Sequence, residues 1–129
     1  MAVRKGSSKA VAADVFAADC PSRAILDHVS SRWGVLVLLA LREGTLRFGE
    51  LGRRVTGVSE KMLAQTLAAL ERDGFVEREA YAVIPPRVDY SLTPLGAELA
   101  GRVEDLVRFI EGNLKPVTMA QKAFEERRK

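Results

Sequence analysis

The sequence predicts a mainly helical fold carrying one small β-hairpin, and three observations predict it. Apolar residues recur at helical spacing through most of residues 20–114. Two helix starts are spelled out, Cys20-Pro21 and Thr93-Pro94, each with proline at the first helical position, where its missing N–H is no loss. A pair of extended runs, FVEREAY and RVDYSL, is joined by AVIPP, whose prolines cannot enter a ladder and stiffen the tip.

The elements follow in order. Ile25, Leu26, Val29 and Trp33 lie at helical spacing, and WGVLVLLALREG either continues that helix or begins a second one ending at Gly44. The apolar run from Trp33 to Leu41 is too short to span a bilayer and reads as a core helix. TLRF fits a short extended link, after which Phe48, Leu51 and Val55 share one face of a helix of about two turns. Thr56, Gly57 and Val58 break the pattern, and Ser59 caps SEKMLAQTLAALERDG, where Leu63, Leu67 and Leu70 form the inward stripe and Gly74 the terminator. A short helix, a Gly-containing turn and a longer capped helix outline a helix-turn-helix, and the hairpin that follows reads as its wing. After Thr93-Pro94 a long amphipathic helix carries Leu99, Val103, Leu106, Val107 and Ile110; in so small a domain this stripe is expected to form a dimer interface.

Composition narrows the function classes. A 129-residue chain with 47% hydrophobic and 29% charged residues is one globular domain rather than a disordered or collagenous chain. Three regions are expected: an N-terminal arm or helix over 1–19, the winged domain with its dimerisation helix over 20–114, and a charged tail over 115–129. Net charge is +3, but residues 1–18 and 115–129 together carry +5 and the middle carries −2, so bulk charge argues poorly for nucleic acid and local placement must decide. No export signal or membrane segment is visible, and a single cysteine makes no internal staple, which fits a reducing cytoplasm. His28, the only histidine, has no metal-ligand pattern or phosphate loop beside it and reads as structural; Glu77 and Glu79 read as a surface strand edge. No metal, cofactor or catalysis is expected.

The predicted recognition helix turns Lys61 and Gln65 outward, with Ser59, Met62 and Thr66 on its flanks: hydrogen bonders for base edges, an apolar contact for a thymine methyl, and one cation. Arg47, Arg53, Arg54 and Arg87 are candidate phosphate contacts, or surface arginines in ion pairs, for example Arg54 with Glu50. Phe16, Trp33 and Phe109 are candidates for an effector pocket between the dimer helices and the winged domain, or plain core.

CPSRAILDHVSSRW, LREGTLRFGELGRRVTGVSEKMLAQTLAALERDGFVERE and PPRVDYSLTPLGAEL, in that order, resemble the HxlR-type winged helix-turn-helix transcriptional regulators, bacterial relatives of the MarR class. The resemblance covers Cys20 to Leu114, with Ser30-Ser31-Arg32-Trp33 where the family commonly has Gly-Gly-Lys-Trp. It implies a homodimer built from the terminal helices, with two recognition helices set for two half-sites of a double-stranded operator.

Cys20 stands at a helix start, where the dipole favours a thiolate; it is either a reactive group or an inert packed thiol. Some members of the family it resembles sense oxidants or electrophiles, such as quinones or disulfide stress, at an N-terminal cysteine. With no second cysteine, oxidation must join Cys20 to a partner's Cys20, to a small thiol, or to an adduct. The leading expectation is therefore a sequence-specific DNA-binding regulator responding through Cys20. The alternatives are a winged-helix regulator gated by a small aromatic ligand at the dimer interface, and a protein-interaction module without DNA.

Overall fold

The computed structural model describes residues 12–129. The element order is α1 (Pro21–Ser30), α2 (Arg32–Arg42), β1 (Leu46–Arg47), α3 (Phe48–Arg54), α4 (Glu60–Arg72), β2 (Val76–Tyr81), β3 (Arg87–Leu92), α5 (Pro94–Gly112) and α6 (Leu114–Arg127). Of the arm expected over 1–19, residues 1–11 lie outside the described part; residues 12–20 form turns in which Ala17 N–H donates to Asp14 and Cys20 N–H to Ala17.

α1 and α2 are two helices bent by 69° at Ser31. The bend is local chemistry: Ser31 is extended and its hydroxyl accepts from Gly34 N–H, so it ends one helix and caps the next. A side chain on Gly34 would meet the His28 carbonyl at 2.2 Å, so glycine is required where the two helices cross closely. α2 is the central beam. Its Val37 and Leu38 are fully buried against Leu51 of α3 and Leu63, Leu67 and Leu70 of α4. Each such side chain contributes roughly 1.5–3 kcal/mol by leaving water. No single helix among the described residues is long and apolar enough to cross a membrane.

The extended link before α3 becomes a two-residue strand. β1 pairs antiparallel with β3 (Leu46↔Tyr90, Arg47↔Asp89), giving a three-stranded sheet in the order β1-β3-β2. Tyr90 is the buried residue of β3, and Val76 anchors β2. The wing is fastened where α4, β2 and α5 meet: Thr93 Oγ1 donates to the Gly74 carbonyl at 2.6 Å, Thr93 N–H donates to the Phe75 carbonyl at 3.1 Å, and Thr93 Oγ1 accepts from Gly96 N–H. A Cβ on Gly96 would lie 1.9 Å from the Phe75 carbonyl oxygen, so α5 starts in direct contact with the wing base.

One sequence expectation is corrected here. Val103 is buried within its own protomer, and Leu99 packs partly against the same core, so these two belong to the fold; Leu106 and Ile110 remain exposed, and Val107 is half-buried. The charged tail is a 14-residue helix, α6, because Pro116 falls in its first turn, where proline is tolerated; none of its residues is buried.

Candidate nucleic-acid interface

α3, the turn Val55–Ser59 and α4 form the helix-turn-helix. Gly57 adopts φ +96°, and a Cβ there would lie 3.7 Å from the Trp33 ring, so Trp33 closes on the turn from beneath. Ser59 caps α4 by accepting from Met62 N–H at 3.0 Å, and Gly74 at φ +85° lets the chain leave it. His28 Nδ1 meets Asp73 Oδ2 at 2.6 Å and ties the end of α1 to the C-terminus of α4. α4 is thus held at its start, along its buried stripe and at its end.

Its open face carries Lys61, Met62, Gln65 and Arg72, all exposed, with Ala64 and Ala68 keeping the surface low between them. That profile suits a groove: long polar side chains reach out where small residues let a duplex approach. Thr66 is not on that face. It is 9% exposed and its hydroxyl donates to the Met62 carbonyl at 2.8 Å, so it packs beside Leu63, Leu67 and Leu70 and has no proton left for a base.

The candidate phosphate contacts divide. Arg47 and Arg53 of the α3 region and Lys61 form no ion pair among the described residues. Arg54 is held by Glu43 at the end of α2, donating through Nε at 2.9 Å and Nη2 at 2.6 Å, rather than by Glu50, which caps α3 by accepting from Arg47 N–H. Arg87 donates to both carboxylate oxygens of Asp89, at 3.2 and 2.9 Å, and lies over the Tyr81 ring at 4.6 Å. These hydrogen bonds lower the pKa of Glu43 and Asp89 and raise that of the two arginines. Sequence reading missed Glu43 and Asp89 as partners. An alternation of Arg87 and Asp89 on one strand face was visible; the eleven-residue separation of Glu43 and Arg54 carried no signal.

Cys20 is the N-cap of α1, but its sulfur does not cap the helix. Sγ accepts from Asp14 N–H at 3.3 Å and lies 3.2 Å from the Ser22 hydroxyl. The Ser22 hydroxyl first, and backbone N–H groups after it, lower the thiol pKa, against desolvation and the opposing charge of Asp14. The proposed aromatic pocket does not assemble within one protomer. Phe16 and Phe109 are 89% and 68% exposed, while Trp33 packs against the core. Instead, a hollow of about 370 Å³ lies between α2, the end of α3 and α5, rimmed by Arg42, Glu43, Arg54, Glu104, Arg108 and Glu111. Among the described residues no cluster of three or more His, Cys, Asp or Glu could hold a metal ion.

A model of the HxlR-like helix-turn-helix matches residues 28–118, which contain both reading helices and the wing. The chain belongs to the HxlR family of helix-turn-helix transcriptional regulators. This HxlR chain is 61% identical over 104 residues to the HTH-type transcriptional regulator YtfH of Escherichia coli (strain K12), covering 81% of the chain and 82% of that protein. A solved structure of the transcriptional regulator ytfH from Salmonella typhimurium superposes with a TM-score of 0.78 at 57% identity, covering 85% and 97% of the two chains. The redox regulator HypR in its reduced form superposes with a TM-score of 0.70 at 32% identity, covering 77% and 98%. Membership sets this HxlR protein among DNA-binding regulators rather than enzymes.

Proposed function

We propose that the protein is a homodimeric, sequence-specific regulator that reads a two-half-site operator with α4 and changes its DNA affinity when Cys20 is modified. The observation that carries the reading is the exposed Lys61–Gln65 face on a helix fixed at both ends and followed directly by a wing. Lys61, Gln65, Met62 and Ser59 face the bases or their edges, and Arg47 and Arg53 neutralise phosphates. Dimerisation through the terminal helices is supported by Leu106, Phe109, Ile110 and Leu114, each at least half exposed on α5 and α6. Two α4 helices then stand about one helical turn, ~34 Å, apart along the duplex.

The lowered pKa of Cys20 supports its role as the sensor, as does the likeness to HypR, a redox regulator. An electrophilic quinone adds to the thiolate directly. With diamide, two thiols give up two electrons and two protons, the azo bond becomes a hydrazine, and a disulfide forms between two Cys20 residues or with a small thiol. The test is a gel shift with the DNA flanking the protein's own gene, for wild type and Cys20→Ser, before and after diamide. Binding by both and loss by treated wild type alone is expected. A folded dimer that binds no fragment at low salt refutes the regulator, and equal loss by Cys20→Ser refutes the sensor.

A further inference from the structure

His28 and Asp73 make a pair with an inside and an outside. The Asp73 side chain is 12% exposed and the His28 side chain 36%, so the carboxylate stands behind and the imidazole in front. A carboxylate accepts hydrogen bonds, so the 2.6 Å contact fixes the ring proton on Nδ1. Nε2, on the other edge of the ring, has no hydrogen-bond partner among the described residues.

Its place is a second, independent observation. Asp27, His28 and Ser31 line one side of a shallow hollow of about 170 Å³, and Gln65, Thr66 and Ala69 of α4 line the other. Gln65 is exposed on the reading face, so the end of α1 borders that face directly. An α-helix with its side chains is about 10–12 Å across, and the major groove is about 12 Å wide. A helix seated there fills the groove, and the two sugar–phosphate backbones run along its flanks. On the flank beyond Gln65, the small side chains of Ser31 and Ala69 leave room for a phosphate. The Ser31 hydroxyl is already used, donating to the His28 carbonyl and accepting from Gly34 N–H, both at 3.0 Å. That leaves the His28 ring to meet it.

The charged groups brought near the ring are Asp73 and the exposed Arg72 from the end of α4, the exposed Asp27 on α1 itself, and Arg32 of α2, which lies over the Trp33 ring at 5.5 Å. With a neutral imidazole the hollow presents the Nε2 lone pair and the Asp27 carboxylate, and both repel a phosphate. One proton from solvent turns Nε2 into a donor, while Nδ1–H stays on Asp73.

We propose that His28, backed by Asp73, is a further DNA contact that donates from Nε2 to a backbone phosphate beside α4, taking up one proton per protomer as it does so. Affinity then rises as pH falls, because the complex holds more protons than the free protein. The contact carries no sequence information and fixes the register in which α4 sits. The inference rests on the DNA-binding reading above, and its test separates the two.

The experiment follows the full chain on a labelled duplex from the DNA flanking its gene, by anisotropy, across a salt series at about pH 8 and about pH 6, under reducing conditions. Wild type should bind about tenfold tighter at the lower pH, and its slope of log K against log salt should steepen by about 2 per dimer. His28→Gln, whose amide still donates to Asp73, should lose both differences, with thermal melting verifying that it folds. Asp73→Asn keeps an acceptor for Nδ1–H but not the charge behind it, so the midpoint of the pH profile should move to lower pH. An unmoved midpoint overturns the role of Asp73, and an equal pH response in His28→Gln overturns the contact. A wild type whose melting changes with pH while its salt slope does not overturns it too, since His28 is then only a tie between helices. If wild type binds no DNA at either pH, the regulator reading falls first and the contact with it.

Discussion

Replacing Glu43 with glutamine should release Arg54 to the phosphate backbone and make DNA binding more salt-sensitive. In the free protein Glu43 accepts two hydrogen bonds from the Arg54 guanidinium, in the bidentate way a phosphate would. With the pair intact, Arg47, Arg53 and Lys61 are three cations per protomer outside any ion pair among the described residues. Six per dimer correspond to a slope of about −5 in log K against log salt, and eight, with Arg54 freed, to about −7. Between 50 and 200 mM salt, Glu43→Gln should therefore lose about tenfold more affinity than wild type while binding more tightly at the lower concentration. Anisotropy of a labelled operator across a salt series measures this. Glu111→Gln is the control, since it removes the same charge from the rim of the same hollow without touching an arginine in an ion pair. Equal slopes for the two variants would refute the reasoning. Hydrogen bonding to Arg54 lowers the Glu43 pKa from its ordinary value, so its proton returns at lower pH than for a free glutamate, and mild acidification should not imitate the mutation at this pair. By the same logic Arg54→Ala should flatten the slope less than Arg53→Ala.

Two further outcomes follow from burial and hydrogen bonding. Ser22→Ala removes the largest influence lowering the Cys20 pKa, so the pH midpoint of iodoacetamide alkylation should move upward; an unmoved midpoint would show that Ser22 does not stabilise the thiolate. Val103→Asp places a carboxylate in the protomer core and should unfold it at a cost of about 3–5 kcal/mol, whereas Ile110→Asp, on an exposed position, should leave helicity intact and yield monomer. Circular dichroism with sedimentation distinguishes the two, and a dimeric Ile110→Asp would move the interface elsewhere.

What the sequence made legible was whatever is written locally. Ser59 and Gly74 bracket α4, Pro21 and Pro94 start α1 and α5, and the AVIPP tip lies where the hairpin turns. Thr66 was misread because its polarity outweighed its position, although Leu63, Thr66 and Leu70 follow the spacing of one buried stripe. The tail's helix begins at Leu114, ahead of Pro116, because proline is tolerated in a first turn, and its charged composition gives that start no mark. β1 needs a partner strand over forty residues away to become a strand at all. The pairing of Arg87 is local to β3, whereas that of Arg54 is a tertiary fact, set by where the end of α2 meets the end of α3.

The contact between Gly96 and the Phe75 carbonyl, with Thr93 bonded to both sides of the wing base, makes α4, the hairpin and the start of α5 a single lever. In the proposed dimer its pivot is α5, and its far end is the hairpin tip, about 20 Å beyond the wing base. A tilt of α5 by about 5° sweeps that end by almost 2 Å, while the internal geometry of each reading head stays as it was. A signal arriving at the terminal helices thus has no need to deform the surface that touches bases. It only has to put two intact reading heads out of phase with the duplex.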